Sequence, residues 1–227
     1  MFITVSKVCL TIDGVRVETD KSVKVLQAAL DAGIYIPNLC FLPEAALPFG
    51  GCRLCFVEIE GQGVVTSCTE TVRDGMVVHT TTPKVSRLRR TAAEFIIASH
   101  PAECRNCVKN RNCELQKIAA FLKLKLKPDR LPAMQKSLPL DISNPCFILD
   151  PNKCVLCGKC IWVCNERKGV GILQFLHRGF DTVVSVVGDN SDYSCDSCME
   201  CVITCPVGAL LPKSIEQCAS DPVLAKT

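Results

Sequence analysis

With 227 residues, eighteen cysteines and a formal net charge of +3, the chain is long enough for one large domain or two to three small ones. Its cysteine content touches the range of disulfide scaffolds. However, the opening MFITVSKVCLTIDGVRVETD lacks the apolar core and cleavage site of a secretory signal, and no apolar run approaches the roughly 18–20 residues of a membrane span. In a reducing cytoplasm, the compartment expected here, closely spaced cysteines read as metal ligands.

The charge is uneven. Residues 1–82 carry 6 basic and 9 acidic side chains, residues 83–136 carry 13 and 4, and residues 137–227 carry 7 and 10. A basic block of this kind suits nucleic acid or an acidic protein surface. Only Phe95 and Phe121 are available in it to stack on bases, so solvated helix faces are the expectation and nucleic acid is not an expected partner.

The first segment, residues 1–82, opens with VCLTIDGVRVET, two alternating runs around Asp13-Gly14 that predict a hairpin. SVKVLQAALDAG places Val25, Leu26, Ala29 and Leu30 at helical spacing with Gly33 as a stop. FVEIEGQGVVTSC reads as a second hairpin and MVVHT as a last strand, the element order of a small β-grasp domain. Its cysteines, Cys40, Cys52, Cys55 and Cys68, have the spacing C-x11-C-x2-C-x12-C. Three sit on the loop NLCFLPEAALPFGGCRLC, and the fourth is expected on the far strand of the hairpin. Gly50 and Gly51 would let the backbone wrap closely round a buried anionic centre and offer N–H groups to its sulfurs.

This segment resembles the [2Fe–2S] domain at the start of the peripheral iron–sulfur subunit of NADH:quinone oxidoreductase, which related NAD-linked hydrogenases and formate dehydrogenases share. The common plant-type ferredoxin pattern has a shorter first gap. Zinc held by the same four thiolates is the rival reading.

The second segment, residues 83–140, begins with the helix-like PKVSRLRRTAAEFIIASHP and includes a second helix, ELQKIAAFLKL. Between them His100, Cys104, Cys107 and Cys113 form H-x3-C-x2-C-x5-C. The pattern resembles the same family's [4Fe–4S] site with one histidine and three cysteine ligands. A cluster with one open iron and a zinc knuckle are the alternatives. His79 and His177 are expected to be ordinary surface or core residues. Residues 125–145 read as a connector rich in Pro and Lys.

The third segment, residues 141–213, carries one rhythm twice. Cys154, Cys157, Cys160 and Cys164 are followed by Cys195, Cys198, Cys201 and Cys205 at the same spacing. A C-x2-C-x2-C loop wraps three corners of a cubane cluster, so the fourth ligand must come from elsewhere. In two-cluster bacterial ferredoxins the fourth cysteine of each run ligates the other cluster. Carried over, Cys154, Cys157, Cys160 and Cys205 hold one [4Fe–4S] cluster, and Cys195, Cys198, Cys201 and Cys164 the second. Pro206 follows the last run as that pattern expects, but Asn165 stands after the first, leaving a helix start there less well specified. Val155, Leu156, Ile161, Val163, Val202 and Ile203 are expected to shield the clusters. Cys9 and Cys146 are expected as buried thiols, Cys218 as a surface thiol, and residues 214–227 as a tail.

The expected class is therefore α+β: a β-grasp [2Fe–2S] domain, a small helical [4Fe–4S] domain, and a ferredoxin-like domain with two [4Fe–4S] clusters. No dinucleotide loop or P-loop is present in the sequence. The resemblance covers roughly residues 1–213. It implies a stand-alone electron-transfer subunit, non-catalytic by itself, in a multisubunit NAD(P)-linked hydrogenase, formate dehydrogenase or flavin-based electron-bifurcating oxidoreductase. The implied partners are a flavin (FMN) and NAD(P)-binding subunit and a second redox subunit, in a hetero-oligomer without direct membrane insertion. A regulatory or nucleic-acid-associated iron–sulfur protein is the alternative, and a zinc-binding interaction module a third.

Overall fold

The computed structural model describes residues 6–127, 129–187, 195 and 197–213. Two compact units, Met1–Phe95 and Ile96–Thr227, divide the chain. Both mix helix and strand, so the α+β class holds. Among the described residues no helix is long and apolar enough to cross a membrane.

In the first unit β1 (Lys7–Ile12) and β2 (Val15–Asp20) pair antiparallel, from Lys7↔Asp20 to Ile12↔Val15. Asp13 and Gly14 between them both take left-handed backbone, φ +49 and +83, as a two-residue turn matched to strand twist requires. Helix α1 (Val25–Asp31) buries Val25, Leu26, Ala28 and Ala29 along one stripe. It stops at Gly33, where the Ile34 N–H reaches the Ala29 carbonyl at 2.8 Å and the Gly33 N–H that of Leu30 at 3.0 Å. That pair of bonds satisfies carbonyls the helix end would otherwise leave open.

Strands β3 (Phe56–Ile59) and β4 (Gly63–Thr66) form the second hairpin. Strand β5 (Val77–His79) lies between the hairpins, parallel to β1 and antiparallel to β3. The order β2-β1-β5-β3-β4 with α1 packed on it is the β-grasp arrangement. Leu10 and Ile12 on β1, and Val57 and Ile59 on β3, point to the α1 side by strand alternation and are buried. Full burial of each such side chain contributes about 1.5–3 kcal/mol. Helix α2 (Pro83–Ser99) begins with Pro at its first position and the Thr82 hydroxyl accepting the Val85 N–H at 3.2 Å, a well-formed cap.

The second unit has less regular structure. Helix α3 (Glu114–Phe121) follows Cys113. Strands β6 (Phe147–Leu149) and β9 (Leu210–Pro212) pair antiparallel and bring the two ends of the double-cysteine segment together. Between them come α4 (Lys159–Trp162), continued by a π-helical turn over Val163–Arg167, and a hairpin of β7 (Leu173–Leu176) and β8 (Val183–Val186). Helix α5 (Glu200–Thr204) precedes the last cysteine. Strands β6 to β9 were not separable in the sequence, because runs of three or four residues are too short to show a period. In the described part of the expected connector, the one ladder contact is a bridge from Asp141 to Leu149.

Candidate metal centres

In the first unit Cys40, Cys52 and Cys55 lie on the loop between α1 and β3, but Cys68 is not on a strand. Strand β4 ends at Thr66, and Ser67 then turns the chain. Its N–H and its hydroxyl both donate to the Cys55 carbonyl, at 3.0 and 2.7 Å, which ties Cys68 to the opposite loop. All four thiols are buried, and they stand in pairs. Cys40 Sγ lies 3.4 Å from Cys52 Sγ, and Cys68 hydrogen-bonds Cys55. Within each pair the shared bond keeps one sulfur protonated and favours the thiolate of the other. Cys52 is lowered to about 6 by the bond from Cys40, aided by peptide N–H groups of Leu54, Leu39 and Cys40. Cys55 is lowered by Cys68, while Cys40 and Cys68 are pushed up by the same bonds. The two glycines meet steric demands instead: Gly50 has φ +64, and a Cβ on Gly51 would sit 2.4 Å from the Phe49 ring. Two buried pairs of thiols fit a two-iron cluster, with two sulfurs to each iron.

In the second unit His100 follows α2, Cys104 and Cys107 flank a short 3-10 turn, and Cys113 directly precedes α3. All four line one cavity, with Lys109, Asn110, Gln116 and Lys153 completing its wall. The His100 Nδ1 atom is buried without a hydrogen-bond partner. An orphaned imidazole nitrogen in a space shared with three sulfurs fits a metal ligand, since a buried polar atom otherwise finds a partner. Burial holds the His100 pKa below its usual value, which keeps the ring in the neutral form that ligates metal. His79 and His177 are at the surface, His79 facing Glu60 at 3.0 Å. Among the described residues no three His, Cys, Asp or Glu side chains close round a point as they would for a single ion.

The repeated cysteine loops share a backbone. Leu156 and Gly158 in the first have φ +52 and +73, and Ser197 and Met199 at the matching places in the second have +57 and +58. Two left-handed residues per loop curl the chain so that its three cysteines face one side. The sulfurs acting on Cys157 are those of Cys154 and Cys205, and Cys160 adds Cys201 at longer range. Those acting on Cys201 are Cys195, Cys198 and Cys164. Each last cysteine is therefore brought to the other run. Burial pushes Cys154 up to about 11 and Cys157 and Cys201 up to about 12, with Cys160 well above its usual value. Buried sulfurs that cannot ionise alone suit a site whose metal displaces their protons.

Several expectations change. Asn165 falls inside the π-helical turn, and Pro206 leads through a turn into β9, so neither starts a helix. Ile203 is 69% exposed and shields nothing, whereas Val163 is fully buried. Cys9 is half-buried and accepts a hydrogen bond from Arg16 Nε at 2.9 Å, so it is no core thiol. Cys146 is buried, as expected, with its Sγ 3.0 Å from the Ser197 hydroxyl. Cys218 lies outside the described residues. One contact had no signal in the sequence. The turn after Cys205 is clamped to the His100 site by the Glu114 N–H donating to the Pro206 carbonyl at 3.0 Å. There Gly208 lies so close to Cys107 that a Cβ would sit 2.6 Å from its sulfur.

Residues 6–83 match the 2Fe-2S iron-sulfur cluster binding domain, and residues 89–126 the NADH-ubiquinone oxidoreductase-G iron-sulfur binding region. The NADPH-Fe(3+) oxidoreductase subunit alpha of Geobacter sulfurreducens is 36% identical over 91% of this chain and 24% of its own. The NADP-reducing hydrogenase subunit HndD of Solidesulfovibrio fructosivorans is 34% identical over 91% of this chain and 36% of its own. The chain thus spans about a quarter to a third of these curated relatives. A chain of the NAD+-reducing [NiFe]-hydrogenase in its H2-reduced state superposes with a TM-score of 0.83 at 30% identity, over 92% of this chain and 89% of that one. The chain belongs to the family of iron–sulfur proteins shared by NADH-quinone oxidoreductases and NAD(P)-linked hydrogenases.

Proposed function

We propose that this protein is an electron-relay subunit of a multisubunit NAD(P)-linked oxidoreductase, such as a hydrogenase, a formate dehydrogenase or a flavin-based bifurcating complex. In this reading Cys40, Cys52, Cys55 and Cys68 hold a [2Fe–2S] cluster, and His100, Cys104, Cys107 and Cys113 a [4Fe–4S] cluster. Cys154, Cys157, Cys160 and Cys205 hold a second [4Fe–4S] cluster, and Cys195, Cys198, Cys201 and Cys164 a third. The observation that supports it is that Cys205 acts on Cys154 and Cys157 of the other run, and Cys164 on Cys201.

When bound, the clusters supply one-electron oxidation and reduction. The chain's own residues ligate, space and insulate them. Thiolates and one neutral imidazole bind iron, peptide N–H groups point at sulfur, and apolar residues such as Val163 keep water away. The partners in this reading are an FMN-containing subunit that exchanges hydride with NAD(P)H and a second subunit bearing the distant redox site.

Two measurements test the reading. Anaerobically reconstituted protein is expected to hold about fourteen irons and as many acid-labile sulfides, the content of one two-iron and three four-iron clusters. A stable value near ten would remove one cubane site, and the His100→Ala variant would say which. In the native assembly, Cys160→Ser should leave dye reduction by NAD(P)H intact and abolish transfer to the distant site. Unchanged transfer would end the relay reading.

A further inference from the structure

Arg89 is the one arginine among the buried residues of the described chain, 3% exposed on the inner face of α2. Its guanidinium is always charged at neutral pH. Its Nε donates to the Phe56 carbonyl at 2.9 Å, and its Nη2 donates to the same oxygen. It forms no ion pair among the described residues. Its neighbour Arg90 instead takes the Glu94 carboxylate at 3.3 Å. A buried charge without a direct ion partner is costly unless negative charge nearby offsets it.

Its place is set by chain geometry. Phe56 directly follows Cys55, so Arg89 grips the strand at the point where the cysteine loop enters β3. Burial is the largest influence on the guanidinium and lowers its pKa to about 10, which leaves it charged at neutral pH. Asp13 supplies one negative charge nearby, with its own oxygens fixed by the Thr80 N–H and the Thr80 hydroxyl. A two-iron cluster on four thiolates carries two negative charges when oxidised and three after taking up one electron. That is more negative charge than Asp13 alone supplies.

We propose that Arg89 is the built-in counter-cation of the [2Fe–2S] site, stabilising its reduced form and so raising its potential. The proposal rests on the assignment of Cys40, Cys52, Cys55 and Cys68 to that cluster. Arg89 touches no ligand sulfur. It acts through charge, and by fixing the strand that carries Cys55.

The test uses the full chain, reconstituted anaerobically, with the [2Fe–2S] signal followed by EPR during a redox titration. Arg89→Gln removes the charge and keeps a donor for the Phe56 carbonyl. Arg89→Lys keeps the charge and loses the fork. The expected result is a midpoint shifted to lower potential in Arg89→Gln, a value near wild type in Arg89→Lys, and unmoved midpoints for the [4Fe–4S] signals. The shift should persist at high salt, because a buried charge is poorly screened. Loss of the cluster in Arg89→Gln but not in Arg89→Lys would support the same conclusion. An unshifted midpoint in Arg89→Gln with an intact cluster would overturn it, as would loss of the cluster in both variants, which would leave a packing role alone. Absence of any [2Fe–2S] signal from the wild-type protein would instead overturn the ligand assignment beneath it.

Discussion

In the first unit the four thiols sit on loops over a core made by other residues. Sixteen buried residues, among them Leu10, Ile12, Leu26, Val57 and Val78, pack between the sheet and α1, and only Cys55 and Cys68 of the cysteine set belong to that group. In the part of the second unit with the repeated cysteine loops, sulfurs contribute to the interior directly. Cys157, Cys160 and Cys205 are buried beside Val163, Leu173 and Leu210, and the longest strand there has four residues. One site is thus attached to a fold and the other makes the fold. The lesson is that metal and stability are separable in the first region and inseparable in the second, as in small metal-dependent domains.

The largest expected effect follows from that contrast. Removing iron by chelation under reducing conditions should leave the five-stranded sheet protected in amide hydrogen exchange and abolish protection around α4, α5 and β9. Equal loss in both regions would break the comparison. Next in size, Ile12→Ala should cost about 2–5 kcal/mol, and nearly the same amount with and without metal, measured by denaturant unfolding of the first transition. A metal-dependent cost would mean the cluster contributes to that core after all.

Gly208→Ala should cost about 1–3 kcal/mol, because a methyl group has no room beside the Cys107 sulfur. Its signature should appear in the EPR spectrum of the His100 cluster, although Gly208 lies in neither ligand motif. An altered stability with an unaltered spectrum would show that the clamp between the turns is not tight.

Titration of the metal-free protein should separate the regions between about pH 6 and 9. Cys52 is lowered to about 6 in the folded state against an ordinary 9.0. The folded state therefore releases that proton first, and the first unit gains stability as pH rises from about 6 to 9. Cys154, Cys157 and Cys201 are raised to about 11–12. Unfolded thiols then ionise before folded ones, so the second unit loses stability above about pH 9. Cys40 and Cys68, raised as well, give the first unit the same loss above about pH 9, so thermal melts that show no gain in the first unit between about pH 6 and 9 would refute the difference. Smallest of all, Met199→Gly should stabilise the protein by up to about 1 kcal/mol, since φ +58 strains a side chain where the other loop has Gly158. A loss of stability would mean that Met199 packing outweighs its backbone strain.

Much of the chain was legible before its structure. Asp13-Gly14 announced the first hairpin because few residues accept two left-handed positions in a row. Helix α1 followed from apolar spacing and from Gly33 at its end, and α2 and α3 from helix-like stretches of sequence. The strands of the second unit were hidden because FIL, LQFL and LLP carry no period, and Cys68 was misplaced because Ser67 bends the chain by bonding to a residue twelve positions earlier. Arg89 gave no signal at all, since a buried and a solvated arginine look alike in a basic stretch.

By itself, then, the sequence determined which side chains can act as ligands and how many a single loop can offer, because short spacing limits what a backbone can wrap. The tertiary structure alone decided how the first site's thiols pair and that Gly208 abuts Cys107. It also placed a lone buried cation behind Cys55. Those relations join residues far apart in the chain, and packing rather than spacing brings such residues together.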